Sequence, residues 1–210
     1  ATSGDTGSAV AAAIHLKPHL QLIVLYPQGK ISLRQEQQIT CWGDNVLSLA
    51  VQGTFDDCQN IVKTLFSDAE FRVKHHLVAV NSINWARIMA QIVYYFAAAL
   101  ALGAPEKIVS FSVPTGNFGN VFAAYAARRM GLPIDRLIIG SNSNDVLPQF
   151  FEHGALSATT VVPTLSPSMD IQVSSNFERF LFDLWEQNGT ALADAMTEFK
   201  RSQRLSVTTN

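Results

Sequence analysis

Thr115-Gly116-Asn117-Phe118-Gly119-Asn120 is a turn of small and polar residues in which two others separate the two glycines. An apolar, β-branched run over residues 107–113 precedes it and stops at Pro114, the pattern of a buried strand. Beyond it Val121, Phe122, Tyr125, Ala126 and Met130 share one helix face, and Gly131-Leu132-Pro133 ends that helix. A glycine-rich turn between a strand and a helix start aims several backbone N–H groups at one spot, where the helix dipole adds positive potential. The chemistry this suits is capture of a phosphate, and of a monoester rather than a nucleotide. No Gly-Lys-Ser/Thr closes the turn as in a Walker A loop, and the glycines do not fit G-x-G-x-x-G. The same glycines also suit an ordinary strand–helix turn that needs them for tight packing, and the residues alone leave both readings open.

Other chemistries find less support. The five histidines (His15, His19, His75, His76, His153) share no metal-ligand spacing with one another or with Cys41 and Cys58, so no metal is expected. Two cysteines without C-x-x-C spacing in 210 residues suggest a reducing compartment, and a cytoplasmic location is expected. A formal charge of −2 argues against non-specific nucleic-acid binding, which needs a basic surface. Residues 88–102 form a long apolar helix with only Gln91 strongly polar. That run falls short of the ~20 residues a bilayer requires and sits between strand–helix units, so it reads as a core helix and no membrane contact is expected. No basic and apolar leader precedes Ala1, so no signal peptide is expected, and the abrupt opening reads as a cut within a longer chain.

The elements that must position the turn follow from periodicity. Residues 1–7 form a second polar-glycine turn, entering a helix over 8–16 that Ser3 or Asp5 is placed to cap. Strands are expected at 20–26, 45–51, 77–80 and 137–140. Helices are expected at 32–40 (starting at Ser32), 55–66 (capped by Thr54), 146–153, 177–186 and 192–203, with a polar loop over 154–170. Alternation of strand and helix indicates an α/β protein with largely parallel sheets. In such sheets functional groups gather at the carboxyl ends of strands, where the turns at 1–7, 81–84, 115–120 and 141–145 all fall.

Four segments carry a family resemblance: ATSGDTGSA at 1–9, YPQGKIS at 26–32, NSINWAR at 81–87 and SVPTGNFGN at 112–120. In this order and spacing they closely resemble the threonine synthases, pyridoxal-phosphate enzymes of the tryptophan-synthase-β-like fold (fold type II), and the likeness runs to about residue 176. The resemblance implies parallel sheets flanked by helices in two subdomains, residues 1–80 within the smaller and 81–210 within the larger, cofactor-binding one. It implies conversion of O-phospho-L-homoserine and water to L-threonine and inorganic phosphate, with pyridoxal 5′-phosphate as cofactor. Gly116, Asn117, Phe118, Gly119 and Asn120 match the family's loop for the cofactor phosphate. Ser3, Gly4, Asp5 and Thr6 match its TSGDTG turn beside the substrate's amino-acid end, where a helix start suits a carboxylate. Lys30, Ser32, Asn81, Ser82, Asn84 and Arg87 match segments that line the substrate phosphate, Lys30 and Arg87 bringing positive charge.

The family's Schiff-base lysine lies upstream of the TSGDTG turn, in an F-K-D-like context. None of Lys17, Lys30, Lys63, Lys74, Lys107 or Lys200 has that context. No catalytic residue is therefore assigned in this chain, and the sequence reads as the middle of an enzyme, incomplete at both ends. Two other functions fit the same residues: a phospho-lyase that uses the cofactor for elimination from a phosphorylated amino acid, and a non-catalytic binding protein of the same fold.

Overall fold

A computed structural model describes residues 1–2, 4–82 and 84–207. It divides into two compact units, Ala1–Asn81 and Ser82–Asn210.

In the first unit β1 (Leu22–Pro27) and β2 (Val46–Val51) pair in parallel, with Leu22 opposite Val46 and Pro27 opposite Val51. Thr2 runs beside β1 and donates its N–H to the Leu25 carbonyl (2.9 Å). Val24 and Tyr26 of β1 bury themselves with Ile39 of α2 (Leu33–Thr40). Both α2 and α3 (Phe55–Ser67) open on complete capping boxes: Ser32 with Gln35, and Thr54 with Asp57. The bonds Thr54 gives the Asp57 carboxylate hold its pKa below the usual carboxylate value. Asp68 then caps a short helix that the sequence reading did not separate, α4 (Ala69–Lys74).

The first helix, α1 (Asp5–Ile14), starts three residues earlier than periodicity indicates. Ser3 lies outside the described residues, and Asp5 is already helical. The cap is Thr2, whose buried Oγ1 accepts from the N–H groups of Gly4 (3.0 Å) and Gly7 (2.9 Å). These bonds satisfy free donors of the first turn and draw Asp5-Thr6-Gly7 into the helix despite its turn-like composition. Residues 77–80 are not the expected strand: no ladder forms there among the described residues, and the Leu77 N–H returns to the Arg72 carbonyl.

The second unit centres on a parallel pair, β3 (Val109–Pro114) and β4 (Ile134–Gly140), joined by α6 (Gly119–Arg129). The helix α5 (Trp85–Ala101) packs against α6, burying Ile88, Ile92 and Ala99. Its opposite side, including Met89, Val93, Tyr94 and Leu100, is exposed, where an all-round apolar pattern suggests complete burial. Such a pattern names no face, so contact with α6 and with β3, where Tyr95 meets Phe111, decides which residues are covered. Among the described residues no helix is long and apolar enough to cross a membrane.

On the other side of α6, a second apolar cluster gathers residues from α7 (Val146–His153), α8 (Phe177–Leu184) and α9 (Gly189–Ser202) around Phe118. The segment read as a plain loop contains β5 (Ala155–Ser157) and a 3-10 turn at Pro167–Met169. β5 pairs antiparallel with β6 (Arg204–Ser206), closing the end of α9 onto the end of α7.

Candidate functional site

The 115–120 turn joins the carboxyl end of β3 to the start of α6 and is braced from inside. Thr115, buried, accepts from the Phe118 N–H (3.0 Å) on its Oγ1 and donates the hydroxyl proton to Asn120 Oδ1 (2.7 Å). Asn120 donates through Nδ2 to the Pro114 carbonyl (2.8 Å), and its own carbonyl accepts from the Tyr95 hydroxyl (2.9 Å). Burial raises the pKa of Tyr95 above its ordinary 10.0, which keeps it a hydrogen-bond donor.

Phe118, not a glycine, takes the left-handed conformation of the turn (φ 64°). That geometry is uncommon for a bulky residue and is stabilised by packing: its ring lies edge-on to Phe177 at 5.0 Å and beside Phe180 and Phe151. The glycines serve close approach instead. A Cβ on Gly116 would stand 3.0 Å from Met169 Cα, and one on Gly119 would stand 3.1 Å from Asn176 Nδ2. The backbone N–H groups of Gly116, Asn117, Gly119 and Asn120 find no acceptor among the described residues. Donors at a helix start, with the positive end of the dipole behind them, fit a bound phosphate.

A partner of this turn was absent from the sequence reading. In Ser174-Ser175-Asn176, the Ser174 hydroxyl donates to the Gly116 carbonyl (2.8 Å) and the Ser175 hydroxyl to Asn117 Oδ1 (2.9 Å). Asn176, fully buried, donates its backbone N–H to the Asn117 carbonyl (3.0 Å) and its Nδ2 to the same carbonyl (3.2 Å) and to that of Ser82 (2.9 Å). Ser82 and Ser175 also share a hydroxyl contact of 3.2 Å. Nothing in a serine-rich loop far along the chain signals these contacts, which form only when α8 folds back on the turn.

Ser82 opens the second candidate segment. Asn84 is the N-cap of α5 and accepts from the Ala86 N–H (3.0 Å). Arg87, one turn in, is half-buried, and its Nη1 is buried without a hydrogen-bond partner among the described residues. A guanidinium nitrogen removed from water and left unpaired is costly unless an anion completes it, so the site has room in its chemistry for a phosphate or carboxylate.

In the first unit the structure joins two of the sequence motifs through Gln35. Its Nε2 donates to Asp5 Oδ1 (2.9 Å), while its Oε1 accepts from the N–H and hydroxyl of Ser32 (3.0 and 3.1 Å). Gln35 also lies directly under Gly4, where an added Cβ would meet it at 2.4 Å. The S-x-x-Q spacing of a capping box was a readable signal for this residue. Thr6 is half-buried, Lys30 and Ser32 are exposed, and Asn81 is half-buried at the end of the unit. Among the described residues no group of three His, Cys, Asp or Glu side chains is placed to hold a metal ion. Burial pushes the Cys58 thiol above its ordinary pKa, which makes it a poor nucleophile.

Comparison with known proteins agrees with this geometry. The family described as pyridoxal-phosphate dependent enzyme matches residues 1–206. The chain is 53% identical over 208 residues to a threonine synthase of Pseudomonas aeruginosa, covering 99% of this chain and 44% of that protein. With a threonine synthase of Saccharomyces cerevisiae it shares 52% identity over 188 residues, covering 88% and 37%. Among solved structures, pyridoxal-phosphate-bound threonine synthase from Brucella melitensis superposes with a TM-score of 0.89 at 50% identity, covering 99% of this chain and 45% of that one. The chain thus spans less than half the length of the relatives it matches.

Proposed function

The chain belongs to the family of pyridoxal-phosphate-dependent enzymes, and from that membership we propose that it forms part of a threonine synthase, converting O-phospho-L-homoserine and water to L-threonine and inorganic phosphate. The observation that carries the proposal is the 115–120 turn, whose Gly116, Asn117, Gly119 and Asn120 N–H groups stand without acceptors among the described residues at a helix start. These residues, with Phe118 fixing the turn, hold the cofactor phosphate. When bound, the cofactor supplies an electron sink for the negative charge left on the substrate's carbons as protons depart.

The remaining roles fall to binding and orientation. Arg87, whose Nη1 lacks a partner among the described residues, takes the substrate phosphate and steadies its charge as it leaves. Ser82 and Asn84 join Arg87 in that role, and the family resemblance assigns Lys30, Ser32 and Asn81 to the same phosphate. Gly4, Asp5 and Thr6, with Ser3, stand beside the amino-acid end of the substrate, where the start of α1 favours a carboxylate. No lysine of this chain stands in the family's context, so the proton transfers are assigned to none of them. Cys41 and Cys58 are free thiols, which supports a cytoplasmic location.

The test uses protein from the full reading frame that contains this sequence, supplied with pyridoxal phosphate and O-phospho-L-homoserine. Equal amounts of threonine and phosphate are expected. Release of phosphate with a 2-oxo acid and no threonine would make the protein a phospho-lyase, and no turnover would leave a binding protein.

A further inference from the structure

We infer that Asn176 is a positioning residue that locks the cofactor-phosphate turn to the substrate-phosphate segment, so that one buried amide sets the geometry of both. The inference rests on the functional reading above. Asn176 is fully buried at the N-cap of α8, and every polar group it carries is used. Its backbone N–H and Nδ2 both reach the Asn117 carbonyl, at 3.0 and 3.2 Å, on the inner side of the 115–120 turn. The same Nδ2 reaches the Ser82 carbonyl at 2.9 Å, two residues before the N-cap of α5. Its Oδ1 accepts from Arg179 Nε at 3.3 Å, and the Arg179 guanidinium lies 5.6 Å from the centre of the Trp85 ring, the first residue of α5. A third contact runs parallel: Ser175 Oγ bridges Asn117 Oδ1 and the Ser82 hydroxyl.

A purely structural amide would satisfy one loop. Asn176 instead divides its two Nδ2 protons between two segments that are distant in sequence, each bearing donors or charge for a different phosphate. Gly119 has no side chain because Asn176 Nδ2 occupies the space, 3.1 Å from where a Cβ would stand. Turn, amide and α5 start therefore form one rigid unit, and a shift of one phosphate site is transmitted to the other through the Asn117–Asn176–Ser82 bridge.

The experiment compares Asn176→Asp, Asn176→Ala and Leu181→Ala in protein from the full reading frame. Asn176→Asp keeps the shape and the Oδ1 contact while removing both Nδ2 donors. Leu181→Ala opens a cavity on the same helix at a residue 1% exposed and touches neither phosphate segment through a hydrogen bond. Both Asn176 variants are expected to weaken pyridoxal-phosphate affinity and to raise KM for O-phospho-L-homoserine, each by about tenfold, the worth of one or two net hydrogen bonds. Leu181→Ala is expected to lower Tm without moving either constant. Affinity and KM unchanged in Asn176→Asp, or moved equally by Leu181→Ala, would overturn the inference. Gly116→Val separates this from failure of the cofactor assignment: if it too leaves the cofactor bound, the turn itself is misassigned.

Discussion

Gly116→Ala puts one methyl group where the turn has no room. Its Cβ would lie 3.0 Å from Met169 Cα, 3.0 Å from Ile171 Cδ1 and 3.4 Å from the Ser168 carbonyl oxygen. Carbon atoms rest about 3.5–4.0 Å apart, so each carbon must yield by roughly 0.5 Å or more. The Ile171 side chain can swing aside. Met169 cannot, because its N–H is bonded to the Ser166 carbonyl (2.8 Å) and the next N–H to Pro167 (3.2 Å). The turn cannot retreat either, since Ser174 Oγ holds the Gly116 carbonyl at 2.8 Å. Such overpacking costs about 1–3 kcal/mol, offset by about 0.4–1 kcal/mol because alanine stiffens the unfolded chain. Gly116 lies outside the left-handed region, so the backbone adds no penalty of its own. At mid-range the net loss is about 1.3 kcal/mol, which corresponds to a Tm lower by about 3–5 °C. Displacement of the turn should also weaken pyridoxal phosphate, by about tenfold for each 1.4 kcal/mol that reaches the bound state. Calorimetry and an absorbance titration of the cofactor read both. Phe118→Leu serves as the contrast, because its ring packs in the aromatic cluster: Tm should fall while cofactor affinity falls less than in Gly116→Ala. Parental Tm and affinity in Gly116→Ala would refute the close-approach reasoning.

Arg87→Ala should raise KM for O-phospho-L-homoserine about 10–100-fold, the worth of charge-assisted hydrogen bonds, while the absorbance of the bound cofactor stays as it is. Unaltered steady-state kinetics would reduce Arg87 to a structural role. Thr2→Val should destabilise the first unit by about 1–3 kcal/mol by stranding the Gly4 and Gly7 N–H groups, and Thr2→Ser should restore most of it; equal denaturation midpoints for both variants would contradict the cap. The neutral Tyr95 phenol, its pKa raised by burial, contributes stability that is whole below its ordinary pKa of 10.0 and is lost as pH rises through the raised value. Tyr95→Phe should flatten that alkaline loss, and an unchanged slope in alkaline melts would remove Tyr95 as its source.

The local signals in the sequence carried much of this structure. The strand, turn and helix around 115–120 were legible because Pro114, two glycines and a 3.6-residue pattern all point the same way. Thr54 and Ser32 were readable as caps for the same reason, and both cap as their spacing indicates. What escaped reading depends on distance along the chain. Thr2 was not legible as a cap of α1 because its backbone is held beside β1, a contact no window of nearby residues contains. The strand expected at 77–80 had the composition of a strand, yet no ladder forms there among the described residues. Gln35 and Asn176 look like surface amides in sequence, yet each is buried against a glycine-bearing turn and joins two motifs. Polar residues of this kind take their role from what folds over them, and periodicity is silent on that.

Amide chemical shifts of the 15N-labelled protein, followed while pyridoxal phosphate is added and again with pyridoxal, which lacks the phosphate, test the central claim most directly. The backbone amides of Gly116, Asn117, Gly119 and Asn120 should move with the phosphorylated cofactor and stay in place with pyridoxal. Those four resonances unmoved while others shift, or moving alike with both compounds, would contradict the 115–120 turn as the phosphate site.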